Sequence, residues 1–239
     1  MNFAIIVASA RARSGKTLLS RLLAEHFILS RQRPTIYETD VTAAPLVARY
    51  PGNALALDID RVTDQMALFD GMATPGPETR ILDLSNSASK KFFKLMVESD
   101  FSDEARTNEL EPIIFYIAGP EQEDFEHAIE LRHRINNCPF VLVENMAMGE
   151  VEQSSARTAY DLLADDLQFR MLIPALDRFF MELLEEPDVS ISEFIREPTL
   201  KMAPETRAAM RSWLVKVFAE IYRVVGAIEH RYPLPPERR

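Results

Sequence analysis

The chain has 239 residues, of which 47% are hydrophobic and 27% are charged. This composition is typical of a folded globular protein and argues against wholesale disorder. The formal net charge of −10 does not support broad, charge-driven binding to nucleic acid or to an anionic membrane. A single cysteine, Cys138, excludes an internal disulfide framework and indicates a reducing, cytoplasmic location.

Apolar runs and breaker residues predict strands and helices that alternate along most of the chain. The first run, residues 3–8, is interpreted as a buried strand rather than a signal peptide, because it is short and no positive region precedes it. Further strands are predicted at 35–40, 54–59, 80–84, 113–118, 140–143 and 169–173. Helices are predicted at 17–30, 62–72, 90–97, 121–135 and 154–163, a loop at 45–53, and a loop or an exposed excursion at 98–111.

After Pro174 the pattern is helical only, with helices predicted at 176–184, 191–195 and 204–228. Strands that alternate with helices predict an α/β fold, a doubly wound and mainly parallel sheet with helices on both faces. We expect a single domain over residues 1–239 whose C-terminal part, about 176–228, is helical. An apolar stripe along the last helix is expected to pack in the core or in a dimer interface.

A phosphate-binding loop is predicted between the first strand and the first helix. Residues 10–17 read ARARSGKT, which fits the spacing [AG]-x4-G-K-[ST]. A chance match in an ordinary strand-to-helix turn is the alternative, but this motif both follows a strand and opens a helix, as a nucleotide site requires. The candidate nucleotide-binding residues of the loop are Ala10, Arg11, Ala12, Arg13, Ser14, Gly15, Lys16, Thr17 and Leu18.

The side chains of this loop suit the chemistry of a bound triphosphate. Backbone N–H groups would surround the phosphate oxygens, and the helix that begins near Gly15 would add its positive end. Lys16 would reach the β- and γ-phosphates, and the Thr17 hydroxyl would hold Mg²⁺. Arg11 and Arg13 either add positive charge at the phosphates or are solvated surface side chains. The motif therefore implies ATP and Mg²⁺ as cofactors.

Two carboxylates follow predicted strands at the sheet edge that carries the loop. Asp40 ends the second strand, and Asp83 follows the apolar pair Ile81 and Leu82. Because parallel strands end at the same edge, Asp40 and Asp83 could join Thr17 in a site that holds Mg²⁺ and positions water. An aspartate at a strand end is otherwise a turn or helix-capping residue, so both interpretations stand.

The order of these motifs resembles the ParA/MinD group of deviant Walker ATPases, a class of P-loop proteins. Those proteins carry K-G-G-x-G-K-[ST] after the first strand, and the same frame reads RARSGKT at residues 11–17. Arg11 stands at the position of the family's signature lysine, which reaches the nucleotide of the partner subunit in an ATP-bound dimer. Ala12 and Arg13 stand where the family has its two middle glycines.

The resemblance extends to three later motifs. The family's second strand ends D-x-D, and ETD at 38–40 keeps the second aspartate, which implies a role for Asp40 in placing water and metal. Asp83 matches the first residue of the family's D-x-P-x-G motif. Asn145, in VEN at 143–145, resembles the strand-end asparagine that contacts the nucleotide base.

Within this group the chain is most similar to plasmid conjugal-transfer and stability proteins of the TraL/StbB kind, through ILD…AS at 81–89, IPAL at 173–176 and the terminal helices. The resemblance implies a cytoplasmic, Mg-ATP-dependent switch that forms a homodimer with nucleotide and hydrolyses it slowly, with Lys16, Asp40 and Arg11 as catalytic residues. It would act with an unidentified protein partner or cargo in plasmid transfer, partition or intracellular positioning. Two alternatives fit the same motifs: an adaptor that keeps the fold without hydrolysis, and a small-molecule P-loop kinase or ligase with a substrate pocket beside Asp40.

Overall fold

A parallel β-sheet forms the centre of the protein. The computed structural model describes residues 1–149, 155–167, 169–186, 189–196 and 203–231. The sheet has seven strands: β1 (Asn2–Ala8), β2 (Thr35–Glu38), β3 (Ala54–Ala56), β4 (Arg80–Asp83), β5 (Leu110–Ala118), β6 (Phe140–Asn145) and β7 (Phe169–Ile173). They lie in the order β3-β2-β4-β1-β5-β6-β7, and every pairing is parallel.

Helices cover both faces of this sheet. Those within the described ranges are α1 (Lys16–Leu29), α2 (Pro45–Arg49), α3 (Val62–Ala73), α4 (Asn86–Glu98), α5 (Phe101–Thr107), α6 (Gln122–Arg134), α7 (Ser155–Asp166), α8 (Arg178–Glu185), α9 (Ile191–Arg196) and α10 (Pro204–Arg231). Residues Met146–Met148 form a 3-10 turn after β6. The predicted doubly wound α/β architecture is therefore confirmed.

The central strand β1 shows why its sequence is a continuous apolar run. Phe3, Ile5 and Val7 pack in one core with α1 and the C-terminal helices α8 to α10. The intervening residues of β1 pack in a second core with α3 to α7 on the other face. A strand covered on both faces has no polar side to alternate with, so the period-two pattern disappears.

The segments 45–53 and 98–111, predicted as a loop and as a loop or an exposed excursion, each contain a short helix, so those two predictions are wrong. In 45–53, the buried Glu38 carboxylate accepts hydrogen bonds from the N–H groups of Leu46 (3.2 Å) and Val47 (2.8 Å) at the start of α2. In 98–111, Phe101 and Ala105 lie one turn apart on α5 and are buried. Each helix buries too few residues to show an amphipathic pattern in the sequence.

Two element boundaries near the sheet edge also differ from prediction. Helix α4 begins at Asn86 rather than at residue 90, because the Ser85 hydroxyl caps it by accepting from Ala88 N at 3.3 Å. Strand β2 ends at Glu38, so Asp40 lies beyond the strand. Asn86 is consequently the first residue of a helix that starts at the same edge as the phosphate-loop motif.

Helix α1 is joined to the C-terminal helices by buried charged side chains. Arg21 donates hydrogen bonds to the main-chain carbonyls of Leu184 and Val189. One turn further along α1, the Glu25 carboxylate accepts from Ser192 N at 3.1 Å. Arg21 and Glu25 are 4% and 2% exposed, so these bonds lie out of contact with water. The helix that follows the loop motif is therefore fixed directly to the end of α8, to Val189 and to the start of α9.

The long helix α10 packs against the sheet through one apolar face. The predicted stripe lies in the core: Leu214, Val217, Ile221, Val225 and Ile228 are buried, and Phe218 is partly buried. The Trp213 indole N–H donates to the Pro174 carbonyl at 2.8 Å and ties the helix to the end of β7. In the part of the chain that the structure describes, no helix is both long and apolar enough to cross a membrane.

Candidate functional site

The loop between β1 and α1 contains two residues in the left-handed conformation. Arg13 has a φ of 55° and Gly15 a φ of 95°. Alternation of right- and left-handed residues turns successive backbone N–H groups toward one concave side, which is an anion-binding arrangement. Gly15 directly precedes the first turn of α1, so the positive end of that helix faces the same region. The conformation at Arg13 is one that glycine adopts without strain.

Lys16 lies folded over the loop and is held by two oxygen atoms. Its ammonium donates to the Arg11 carbonyl at 2.8 Å and to Asn86 Oδ1 at 2.5 Å. The Asn86 amide in turn donates to the Ala10 carbonyl at 2.9 Å. Burial lowers the pKa of Lys16, and the nearby Asp83 carboxylate counteracts that shift. Loop, lysine and the start of α4 therefore form one hydrogen-bonded unit.

Thr17 and Asp83 meet beside this lysine. The Thr17 hydroxyl donates to Asp83 Oδ2 at 2.6 Å. The other carboxylate oxygen, Asp83 Oδ1, is buried and forms no well-aligned hydrogen bond among the described residues, and the nearby Ser20 hydroxyl interacts with this carboxylate closely enough to lower its pKa. Burial raises the pKa of Asp83, against the opposing effects of the Thr17 hydrogen bond and the Lys16 charge. A carboxylate oxygen with no well-aligned hydrogen bond beside a threonine hydroxyl fits a hard divalent cation such as Mg²⁺.

Asp40 lies near this pair but does not join it by a hydrogen bond. Its side chain is exposed, and Oδ1 accepts from Thr42 N at 3.2 Å and from Ala43 N at 3.1 Å. These bonds make Asp40 a turn residue in this structure. Its charge still raises the pKa of Asp83, so the two carboxylates lie within electrostatic reach of each other.

Asn145 supports the loop from the end of β6. Its amide nitrogen donates to the Ser14 carbonyl at 2.9 Å, and its Oδ1 accepts from Ala147 N at 3.1 Å. A β-carbon on Gly15 would lie 2.8 Å from the Asn145 amide nitrogen, closer than real contacts allow. Gly15 is therefore required both by its left-handed φ and by the side chain packed over it.

Arg11 points toward helix α6 and forms an ion pair within its own chain. Its Nε lies 2.9 Å from Oδ1 and 2.8 Å from Oδ2 of Asp124. Asp124 also accepts from Glu121 N at 3.3 Å, as part of the capping box that starts α6. A β-carbon on Gly119 would lie 2.4 Å from Asp124 Oδ2 and 3.0 Å from Arg11 Cδ, so only glycine leaves room for this pair.

Replacing Gly15 by alanine is expected to destabilise the protein, whereas the same change at Gly226 is expected to stabilise it. Alanine at a left-handed φ costs about 1–2 kcal/mol before the contact with Asn145 is counted. Gly226 lies in α10 with nothing within 4 Å of its added β-carbon, and alanine there adds about 0.5–1 kcal/mol of helix stability. Urea unfolding of both variants measures the two effects; an equal effect at both positions would contradict the packing described here.

Two residues of this site do not follow from the sequence motifs. Asn86 lies between the strand predicted at 80–84 and the helix predicted at 90–97, yet it holds Lys16. The sequence feature that could have located Asn86 is Ser85, a good N-cap residue directly after a strand. A helix that begins there has its first residue, Asn86, at the sheet edge. Asp124 lies 113 positions from Arg11, and no local pattern connects them.

The sheet order, with a phosphate-loop motif after the central strand, defines the α/β fold of MinD-like P-loop NTPases. No protein-family model and no curated protein sequence matches the chain. The structure is similar to a nucleotide-binding protein from Archaeoglobus fulgidus in complex with ADP, with a TM-score of 0.50 and 15% identity over 83% of this chain and 93% of that one. It is also similar to the MinD cell division protein of Aquifex aeolicus, with a TM-score of 0.50 and 13% identity over 98% of this chain and 99% of that one. At these identities the likeness is one of fold.

Proposed function

We propose that the protein is a Mg-ATP-binding switch of the ParA/MinD type with slow ATPase activity. The observation that carries this proposal is the group formed by Lys16, Thr17 and Asp83 at the start of α1. It combines an ammonium, a hydroxyl and a buried carboxylate, which has an oxygen that forms no well-aligned hydrogen bond, beside a loop with two left-handed residues. The proteins of similar fold, one in complex with ADP, support the same function.

Each residue has a role in this proposal. Thr17 and Asp83 would hold Mg²⁺, which when bound neutralises charge on the transferred phosphate. Lys16 would exchange its present bonds to Arg11 O and Asn86 Oδ1 for phosphate oxygens. The base would lie near Asn145, where a cavity of about 230 Å³ opens beside its side chain.

The cellular role in the proposal rests on the sequence resemblance. The TraL/StbB-like motifs at 81–89 and 173–176 favour a role in plasmid transfer, partition or intracellular positioning. In that role the protein would be cytoplasmic, would form a nucleotide-dependent homodimer and would act on a protein partner or cargo. Conversion between nucleotide states would then control that assembly.

The test is a Mg-ATP titration of the wild-type protein and of Lys16→Ala. Loss of a charge-assisted hydrogen bond to phosphate costs roughly 1.5–3 kcal/mol, so we expect Lys16→Ala to bind at least about tenfold more weakly. Lys94→Ala, an exposed lysine paired with Glu98 at 3.6 Å, is the matched control and should bind like wild type. Absence of wild-type binding at millimolar Mg-ATP would overturn the proposal.

The position of Asp40 favours a second candidate, a nucleotide-binding adaptor that does not hydrolyse ATP. Its carboxylate accepts hydrogen bonds from the turn that follows it rather than from the site. Phosphate release by wild type, compared with Asp40→Ala at saturating Mg-ATP, separates the two candidates. Release clearly above that of the variant excludes the adaptor, whereas equal release with normal ATP binding favours it.

A further inference from the structure

A cleft of about 410 Å³ lies between α4 and α6, next to the phosphate loop. It opens beside the carboxyl end of β1, which has β4 on one side and β5 on the other. Strands β2 to β4 are added on one side of β1, and strands β5 to β7 are added on the other side. The direction in which strands are added therefore reverses at β1. Open α/β sheets bind ligands at such points, and the volume lies within the roughly 300–1,000 Å³ of small-molecule sites.

The cleft is lined by apolar, polar and basic side chains. Phe93, Tyr116 and Leu131 supply apolar lining, and Lys90 and Arg134 supply cations. Both cationic side chains are exposed, and neither forms an ion pair in the described part of the chain.

The other two lysines of α4 behave differently. Lys91 pairs with Asp60 at 2.9 Å, and Lys94 pairs with Glu98 at 3.6 Å. The cleft also contains His127 against a single acid, Glu130. In a protein with a net charge of −10, this cleft has two cations without carboxylate partners among the described residues and one acid, Glu130, among its lining residues.

We infer that this cleft binds a small organic anion: a carboxylate or phosphate on a flat apolar body. The apolar body would lie against Leu131 and the small exposed parts of Phe93 and Tyr116. The anionic group would be bound by Lys90 and Arg134. Such a site would combine an apolar surface with polar groups that fix orientation, as small-molecule sites do. Arginine suits the paired oxygens of either anion. The inference goes beyond nucleotide binding and does not depend on it.

Fluorine NMR with para-fluorobenzoate tests the site directly. We expect saturable broadening and shift of the probe signal with wild-type protein, and at least tenfold weaker binding by the double variant Lys90→Ala, Arg134→Ala. Lys94→Ala changes a lysine on the same helix that is paired outside the cleft, and its affinity for the benzoate should stay within twofold of wild type. The uncharged para-fluorobenzyl alcohol should bind at least tenfold more weakly than the benzoate, and thermal melting of each variant shows that the fold is kept.

A second arm uses para-fluorophenyl phosphate, and the tighter of the two probes identifies the preferred anionic group. Because Asn86 lines the cleft and also holds Lys16, Lys16→Ala is titrated with the benzoate as well and should retain binding. Loss of binding in that variant would assign the probe to the phosphate loop and overturn the inference. Absence of binding of both probes at millimolar concentration, or unchanged binding by the double variant, would also overturn it.

Discussion

Replacement of Asp83 by asparagine is expected to raise the melting temperature of the ligand-free protein and to remove the further rise produced by Mg-ATP. Burial raises the pKa of Asp83, so the ionised carboxylate is less favourable in the folded protein than in the unfolded chain. Asparagine has the same shape without the charge and can still accept from Thr17. A gain of about 1 kcal/mol corresponds to about 2–4 °C in a protein of this size.

The pH dependence of this difference has a definite sign. As pH falls through the raised pKa of Asp83, the wild-type carboxyl also becomes neutral, so the stability advantage of Asp83→Asn should shrink. Asp40→Asn is the matched control, because Asp40 is exposed and asparagine can accept the same turn hydrogen bonds; its effect should stay within about 0.5 kcal/mol. Thermal melts of wild type and both variants at several pH values, with and without Mg-ATP, measure the stability differences, their pH dependence and the shift produced by Mg-ATP. A lower melting temperature for ligand-free Asp83→Asn would contradict the description of Asp83 as a carboxylate whose ionised form is unfavourable in the folded protein.

The second large effect is expected at Arg11. Arg11→Ala should destabilise the protein by about 1–3 kcal/mol, between the values for exposed and fully buried ion pairs. Its side chain is 41% exposed, but that of Asp124 is only 5% exposed, so removal of the guanidinium leaves a buried carboxylate without its partner. Urea unfolding of the variant measures the loss.

A double-mutant cycle isolates the pair itself. Asp124→Asn removes the charge and retains an oxygen for the α6 cap, so Arg11→Ala should cost much less in that background, with a coupling of about 1–2 kcal/mol. Arg13→Ala is the control, since Arg13 is exposed and forms no ion pair with a described residue; its effect should be below about 0.5 kcal/mol. A coupling near zero would mean that Arg11 is free to act elsewhere, for example across a dimer interface.

The parts of the fold that could be predicted are those in which one segment shows a clear hydrophobic pattern by itself. Strand β1 is buried on both faces, and α10 has one apolar face, so both leave long signals in the sequence. Helices α2 and α5 are short and depend on contacts such as those of Glu38 with the start of α2. These contacts are made by the fold, and no local pattern encodes them.

The candidate site likewise contains features that one segment encodes and features that depend on contacts between distant segments. The spacing of Gly15, Lys16 and Thr17 places the loop, because the chemistry of phosphate binding is confined to a few consecutive residues. The partner of Arg11 could not be predicted, since Asp124 approaches it only when β5 lies beside β1. The roles assigned to Asp40 and Asn145 are still predictions. The structure instead gives each of these residues hydrogen bonds that hold a turn or the loop.

The hydrogen bonds from α1 to the backbone of α8, Val189 and α9 mean that a movement of α1 would also affect these C-terminal elements. The 14 residues of α1 span about 21 Å, with Lys16 and Thr17 at one end and Arg21 and Glu25 further along. Glu25 lies about 13–14 Å along the helix from Lys16, so a rigid tilt of about 10° about the phosphate-loop end would displace it by about 2 Å. Because Arg21 and Glu25 bind the backbone on both sides of the α8–α9 connection, that connection would have to follow or break its bonds. A change at the phosphate loop could thus be transmitted to the C-terminal helices through a single element.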